Sequence, residues 1–246
     1  MKKILTLIVA SMLALSSQSF AKDFGNYYAD LEIRGTQDSW SAGGTNENGT
    51  RFMGSAELTL GYNINDNLTI QLENIAYEAE DENHTLVYEH ELALKYKIQN
   101  LDFVVAGAVM DTDNDTPSDG NQQASYANYE IGYTIPQGYR FSYEFQDELS
   151  DGSVRSSGER YVDEIHIFEI EKTFDDPTGF GKNFETTLLY MDAEGLRKSY
   201  TIDVDYNLTD NYGVGFRAGE NDGQGSYANN ASQNRDFAAV SVFFKY

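Results

Sequence analysis

Three features of the sequence predict an all-β protein that folds as a closed antiparallel up-and-down transmembrane β-barrel of about 12 strands. Apolar and polar residues alternate in segments of about ten residues, the length that a tilted strand needs to cross a bilayer. Long polar connections alternate with short turns. The last segment, 237–246, carries an unbroken apolar row on one face and can pair with the first strand, so that no edge is left open in lipid.

Residues 1–21 have the pattern of an export signal. Residues 1–3 are positively charged at two lysines, residues 4–15 are apolar but too short to span a bilayer, and residues 19–21 form a small-x-small cleavage site. We therefore expect residues 22–246 to be exported and to form the barrel as one domain.

The composition supports this fold and excludes other classes. The chain has no cysteine, so disulfides cannot hold the exported protein together, whereas closing a sheet pairs every backbone donor and acceptor. Three prolines beside 18 tyrosines and 14 phenylalanines suit long regular strands. Without the two signal lysines, 15 of the 17 basic residues remain against 40 acids. This charge excludes a nucleic-acid binder of the usual basic kind and argues against docking onto anionic lipid.

The first six predicted strands show the alternation clearly. In the first, Leu31 and Ile33 alternate with Asp30 and Glu32, and the two-residue turn Gln99-Asn100 separates the fourth strand from the fifth. The six segments are 27–36, 51–62, 68–72, 86–98, 101–109 and 129–135.

The second six strands follow the turn Pro136-Gln-Gly138. The eighth strand, around Tyr161 to Phe174, breaks the parity at Ile165-His-Ile-Phe-Glu-Ile170, which predicts a β-bulge. The six segments are 139–145, 161–174, 184–190, 200–206, 212–218 and 237–246.

Aromatic residues mark the two ends of the strands. One set falls beside the short turns and the other toward the long loops, which predicts one interfacial belt at each end of the barrel. The first set is Tyr62, Tyr96, Tyr133, Tyr139, Phe184, Tyr206, Tyr212 and Tyr246, and the second is Phe52, Tyr88, Phe145, Tyr190 and Tyr200.

The other parity of the strands carries charged residues, with about two acids for each base. Two interpretations are open. In the first, the charged residues form cross-strand ion pairs that stabilise a closed lumen. In the second, they line a hydrated pore that favours cations and neutral polar solutes over anions. The predicted pore-lining residues are Asp30, Glu32, Arg34, Glu57, Glu73, Glu89, Glu91, Lys95, Lys97, Asp102, Glu130, Arg140, Glu144, Glu185, Asp203, Asp205 and Arg217.

This layout resembles the small monomeric outer-membrane porins of the oligogalacturonate-specific family. The resemblance covers the whole chain through the signal, the twelve segments, the turn in Tyr62-Asn-Ile-Asn-Asp-Asn-Leu68 and the terminal Phe243-Phe-Lys-Tyr246. It implies passive uptake of oligosaccharides by a monomer. The acidic-sugar pores of that family are lined by tracks of basic residues. In this chain such a basic lining could be formed only by Arg34, Arg140, Arg217, Lys95 and Lys97. This small number of bases argues against an anionic sugar as the solute.

Two further kinds of site lack residues that they need. A barrel enzyme acting on lipid or peptide would need a histidine beside a serine or an acid, and His84, His90 and His166 show no such partner at a matching height. Asp111-Thr-Asp-Asn-Asp115 begins like a calcium loop, but Thr116 and Gln122 replace the glycine and glutamate that an EF-hand needs. We expect no enzyme, no cofactor and no resident metal.

The remaining alternative is a non-conducting surface barrel whose long loops bind ligands or cells. Those loops, 36–50, 111–123, 146–158 and 220–235, are polar and lack large apolar patches, which is more typical of solvated rims. The expected partners are outer-membrane lipid and lipopolysaccharide, small polar solutes or oligosaccharides, and the barrel-assembly machinery through the C-terminal strand.

Overall fold

The structure, a computed structural model, describes residues 26–42, 48–78, 86–113, 123–149, 164–193, 197–223 and 233–245. Twelve strands form one closed barrel in which each strand is antiparallel to both of its neighbours, as the sequence predicts. The strands are β1 (Tyr27–Ala42), β2 (Asn48–Asn65), β3 (Leu68–Glu78), β4 (Leu86–Ile98), β5 (Leu101–Asp113), β6 (Gln123–Thr134), β7 (Tyr139–Glu148), β8 (Glu164–Asp175), β9 (Asn183–Ala193), β10 (Arg197–Asn207), β11 (Tyr212–Gly223) and β12 (Gln233–Lys245).

No helix among these residues is both long enough and apolar enough to cross a membrane.

The first and last strands close the sheet. They pair without interruption from Asp30 opposite Lys245 to Ala42 opposite Gln233. The backbone donors and acceptors of both terminal strands are therefore used, which is what a sheet in hydrocarbon requires.

Several strands extend beyond the segments predicted from the sequence. β1 continues to Ala42, β5 to Asp113 and β11 to Gly223, so parts of the predicted loops 36–50, 111–123 and 220–235 are strand. The apolar alternation ends where the lipid-facing band ends, but the ladder continues because backbone groups still pair among polar residues.

The predicted bulge in β8 is wrong. Its register is continuous with β7 from Glu164 to Lys172 and with β9 from Ile165 to Asp175. Successive residues of β8 therefore alternate between the two faces without a break. The alternation is hard to see in the sequence because Ile165 and Ile167 are apolar residues on the inner face, while Phe168 and Ile170 are apolar residues on the outer face. Among the described strand pairs, the register shift is between Asn63 and Asn65, where β2 meets β3.

The outer face of the barrel is a continuous apolar surface. Large apolar side chains are exposed there, with Val240 64%, Leu92 59% and Val105 54% accessible. A soluble protein does not expose a surface of this kind, whereas hydrocarbon covers it in a membrane. Other exposed members are Leu60, Ile70, Leu72, Leu94, Phe103, Ile131, Phe141, Ile170, Leu188, Ile202, Val214, Phe216 and Val242.

Aromatic rings cluster at both ends of this surface. At the turn end, the Tyr27 and Tyr62 ring centroids are 4.6 Å apart, and at the other end the Tyr190 and Tyr200 centroids are 5.1 Å apart. Lys172 at the turn end places Nζ 3.8 Å from the centroid of the Tyr139 ring. An amine that extends its charge to the membrane boundary in this way is typical of an interfacial belt. The Tyr246 residue and the side chain of Phe52 lie outside the described part of the chain.

A carboxylate organises the turn between β8 and β9. Asp176 accepts hydrogen bonds from the backbone N–H groups of Gly181 (2.8 Å) and Thr178 (2.9 Å) and from the Tyr206 hydroxyl (2.8 Å). The backbone bonds from Gly181 and Thr178 hold the pKa of Asp176 well below its usual range. Gly179 adopts φ 70°, a left-handed conformation that glycine accepts without strain.

Adjacent residues of β5 test the assignment of the two faces. We expect Val105→Arg to destabilise the barrel by about 2–4 kcal/mol, the cost of placing arginine at the bilayer midplane on the lipid face. Val104→Arg is the matched control, since Val104 faces inward opposite Glu130, and it should cost far less. Urea unfolding in lipid vesicles measures both values, and equal costs would contradict the assignment.

Candidate functional site

The inner face of the barrel carries the charged residues. All seventeen residues predicted to line a pore lie on the parity opposite to the exposed apolar rows, as the strand registers place them. That they line a conducting pore stays a prediction. The structure adds which of them meet and which remain unmatched.

One arginine gathers three acids across four strands. Arg140 of β7 donates Nε to Asp102 of β5 (2.9 Å) and Nη1 to Glu171 of β8 (3.1 Å), and its Nη2 is paired with Glu130 of β6. The side chain crosses β6 above Gly132, where a Cβ would overlap both Asp102 and Arg140. Gly132 therefore leaves room for the Arg140 side chain to reach Asp102. Each of the three guanidinium nitrogens of Arg140 is bonded to a carboxylate.

Two more arginines on this face, among those with described side chains, are also paired. Arg34 donates Nη2 to Glu32 at 2.6 Å, and Arg217 donates Nε to Asp203 at 2.5 Å. These bonds join residues on the same or neighbouring strands, and among the described side chains most of the remaining acids of this face form no ion pair with a base.

Carboxylates stand directly opposite each other on neighbouring strands. Like charges in such positions destabilise a sheet unless cations screen them. The register pairs are Glu32 with Glu57, Glu73 with Glu91, Glu130 with Glu144, and Glu185 with Asp205.

Electrostatic repulsion between acids of different pairs extends this series of acids around most of the inside of the barrel. We call the set the carboxylate ring: Glu32, Glu57, Glu73, Glu91, Glu130, Glu144, Glu169, Glu171, Glu185 and Asp205. The linking interactions are Glu57 with Glu73, Glu91 with Glu130, Glu144 with Glu169, Glu171 with Glu185, and Asp205 with Glu32. The ring returns to the strand on which it starts.

A cavity of about 200 Å³ adjoins the ring between β8 and β11. Its charged lining includes five acids and Arg217, whose guanidinium is bonded to Asp203. The cavity therefore presents more carboxylate oxygens than its one base can match. The acids are Glu169, Glu171, Glu185, Asp203 and Asp205.

Sequence reasoning missed several inner residues. The predicted lining omits Glu169 and Glu171 because the sequence pattern of β8 is irregular. Both residues lie inward, since they alternate with the exposed Phe168 and Ile170. A further omission is a polar link from Tyr28, whose hydroxyl donates to Gln71 at 2.8 Å. No local pattern predicts that link, because it crosses an intervening strand.

The two described histidines, His90 and His166, lie on the outward parity of their strands. His84 lies outside the described residues, and His90 bonds Asn74 with 2.8 Å between Nδ1 and Oδ1. His166 lies on the outer face, where Nδ1 is 2.8 Å from the Tyr143 hydroxyl. The expectation that no acid matches its height is wrong, because Asp192 stands opposite His166 in the ladder.

No group of three metal-ligating side chains comes together in the described part of the chain. Residues 114 and 115 of the calcium-like segment lie outside it.

No protein-family model matches the chain, and no curated protein matches it. Solved structures do match. An outer-membrane channel from Pseudomonas putida F1 has a TM-score of 0.57 at 11% identity, covering 94% of this chain and 98% of that one. A KdgM porin in complex with disordered oligogalacturonate has a TM-score of 0.50 at 9% identity, covering 85% and 97%. The fold is that of the outer-membrane porins and channels.

A third match is a mutant of the TodX monoaromatic hydrocarbon channel, with a TM-score of 0.50 at 9% identity, covering 93% of this chain and 92% of that one. The resemblance in layout to the oligogalacturonate porins is thus confirmed as a likeness of fold. The neighbours share an outer-membrane barrel and differ in what they conduct, so the solute must be argued from the inner face of this chain.

Arg140 supplies the stability test of the inner face. Arg140→Met should destabilise the barrel by roughly 1.5–3 kcal/mol, the range for losing hydrogen bonds to charged groups, because three carboxylates lose their partner. Arg34→Met is the control and should cost clearly less than Arg140→Met, since Arg34 bonds a single acid on its own strand. Unfolding in vesicles compares them, and an equal loss would contradict the bridging role of Arg140.

Proposed function

We propose that the protein is an outer-membrane channel for passive diffusion of small hydrophilic solutes and that its inner carboxylates make it prefer cations. The carboxylate ring carries the proposal. Fixed acids around the inner circumference of a low-dielectric barrel create a negative potential, which concentrates cations and repels anions.

Three inner arginines with described side chains, Arg34, Arg140 and Arg217, offset only part of this field, because each carries one positive charge while the carboxylate ring alone has ten acids. Lys95 is the base nearest to the middle of the acid set and interacts with Glu73, Glu91 and Glu144. One lysine among three glutamates leaves a local excess of negative charge. A structural lattice of matched ion pairs would instead alternate acids and bases across the strands.

The charge of the inner face limits the class of sugar. One structural neighbour is a porin in complex with an oligogalacturonate, which is an acidic sugar. The inner face here has the opposite sign to the one that would attract such an anion. We therefore favour neutral or cationic hydrophilic solutes, including oligosaccharides without acidic groups.

The remaining assignments belong to the same proposal. Residues 1–21 are removed on export, and residues 22–246 act as a monomeric barrel without catalytic activity. The exposed apolar row of β12, with Val240 and Val242, would present the C-terminal strand to the barrel-assembly machinery. Lipopolysaccharide would surround the end of the barrel with the long loops.

Liposome swelling tests conduction and charge preference together. Swelling rates should fall as neutral sugars increase in size, because the barrel limits what passes. Glucosamine should enter several-fold faster than gluconate, which is similar in size but negatively charged. Glu169→Gln with Glu171→Gln should narrow that difference, because both acids belong to the ring.

Glu164→Gln is the matched control on the same strand, since Glu164 shares its parity with the outward Phe168, and it should change nothing. Rates equal to those of protein-free liposomes for every sugar would reject the channel. That result would favour the alternative interpretation, a non-conducting surface barrel whose loops bind ligands.

A further inference from the structure

One buried amide on the inner face has an acceptor that nothing in the described part of the chain satisfies. Asn128 of β6 is 7% exposed, and its Nδ2 donates to Oε2 of Glu91 on β4 at 2.5 Å. Its Oδ1 is buried without a hydrogen-bond partner. The orientation of the amide is fixed by Glu91, because turning it round would set a carbonyl oxygen against a carboxylate. A buried carbonyl without a donor destabilises the protein until something supplies one.

The neighbours of Asn128 are acceptors rather than donors. Glu130 lies two residues further along the same strand and therefore on the same face, and Glu144 stands opposite it on β7. Glu144 and Glu91 repel each other electrostatically, so three carboxylates lie on the inner face in the neighbourhood of the amide. What the site lacks is a donor, and its negative charge requires that donor to be cationic.

Two donors near Asn128 in the described part of the chain are already committed. Gln146, directly opposite Asn128, donates Nε2 to Glu144 at 2.8 Å. Arg140 is bonded to Asp102, Glu130 and Glu171. Lys95 on β4 interacts electrostatically with Glu91 and Glu144, but it donates no hydrogen bond to Oδ1 of Asn128. The missing donor is therefore best supplied by a solute.

The chemistry of the site selects an ammonium group over a metal ion. The described residues bring no three metal-ligating side chains together, and an amide oxygen with two or three separate carboxylates is a looser set than a metal requires. A primary ammonium group has three N–H donors on a compact charge and can bond Asn128, Glu91 and Glu144 at once.

A second position lies next to the first. Glu169 interacts with both Glu130 and Glu144, and it also lines the cavity of about 200 Å³ with Glu171 and Asp205. The acids of that cavity outnumber Arg217, the one base in its lining. Two adjacent places for a cationic donor suit a solute with two amines.

We propose that Asn128, Glu91 and Glu144 bind a primary ammonium group, that the cavity between β8 and β11 takes a second one, and that the preferred solutes of the channel are therefore di- or oligoamines. This inference rests on the proposed function and adds the class of solute. Aliphatic polyamines and oligomers of amino sugars share this chemistry.

The experiment records single channels in planar bilayers at pH 6.5 and adds spermidine, a glucosamine dimer or tetramethylammonium on one side. Tetramethylammonium carries a positive charge without an N–H donor, so it separates hydrogen bonding from attraction by the field. Spermidine or the glucosamine dimer should interrupt the current at concentrations at least roughly tenfold below tetramethylammonium, the factor expected from one hydrogen bond to a charged group. The amine that interrupts the current at the lower concentration shows whether the preferred solute is an aliphatic polyamine or an oligomer of amino sugars.

Asn128→Leu removes the side-chain carbonyl at similar volume. It should raise the concentration of spermidine that interrupts the current roughly tenfold. Glu164→Gln on the outer face should leave that concentration unchanged. Calorimetric titration of spermidine into the barrel in micelles reports binding without conduction. A cation-selective channel blocked equally by all three probes would overturn the ammonium site and leave the channel standing. Absence of current together with spermidine binding lost in Asn128→Leu would reject the channel and retain the site.

Discussion

The pairing of β1 with β12 is the constraint on which the rest of the structure depends. Once Asp30 meets Lys245 and the ladder runs to Ala42 and Gln233, the sheet has no free edge and can reside in hydrocarbon. Closure also separates two environments, since every side chain must point either to lipid or to the interior. The strict alternation along the strands is the consequence of that division.

The interior is organised by side chains that reach over a neighbouring strand. Tyr28 crosses Gly61 to bond Gln71, and Arg140 crosses Gly132 to bond Asp102. In each case the glycine leaves the room that the longer side chain occupies. These links fasten alternate strands together near the turn end, and the second one also uses the charge of Arg140. The carboxylate ring is left with few bases to neutralise it, and this imbalance gives the interior its chemical character.

The sequence was sufficient for the architecture because a lipid-facing strand repeats every second residue. Leu92 and Leu94 beside Glu91 and Lys95 reveal the face of β4 without any knowledge of its neighbours. β8 was misread because Ile165 and Ile167 place apolar residues inward near the long-loop end. Strand ends were misjudged at β1, β5 and β11, since hydrogen bonding continues where the apolar signal has stopped.

The inner site was less predictable because it depends on contacts between strands. Parity placed Glu91 and Glu130 on the inner face, but nothing local showed that Asn128 would bond Glu91 across β5 and leave its own oxygen unmatched. Likewise, the three acids held by Arg140 come from β5, β6 and β8 and meet only when the barrel has closed.

The reversal potential of single channels in a potassium chloride gradient tests the central claim most directly. The account predicts a potential of the sign that marks potassium as the more permeant ion, because the carboxylate ring surrounds the path. A reversal potential of the opposite sign, with chloride carrying most of the current, would contradict it.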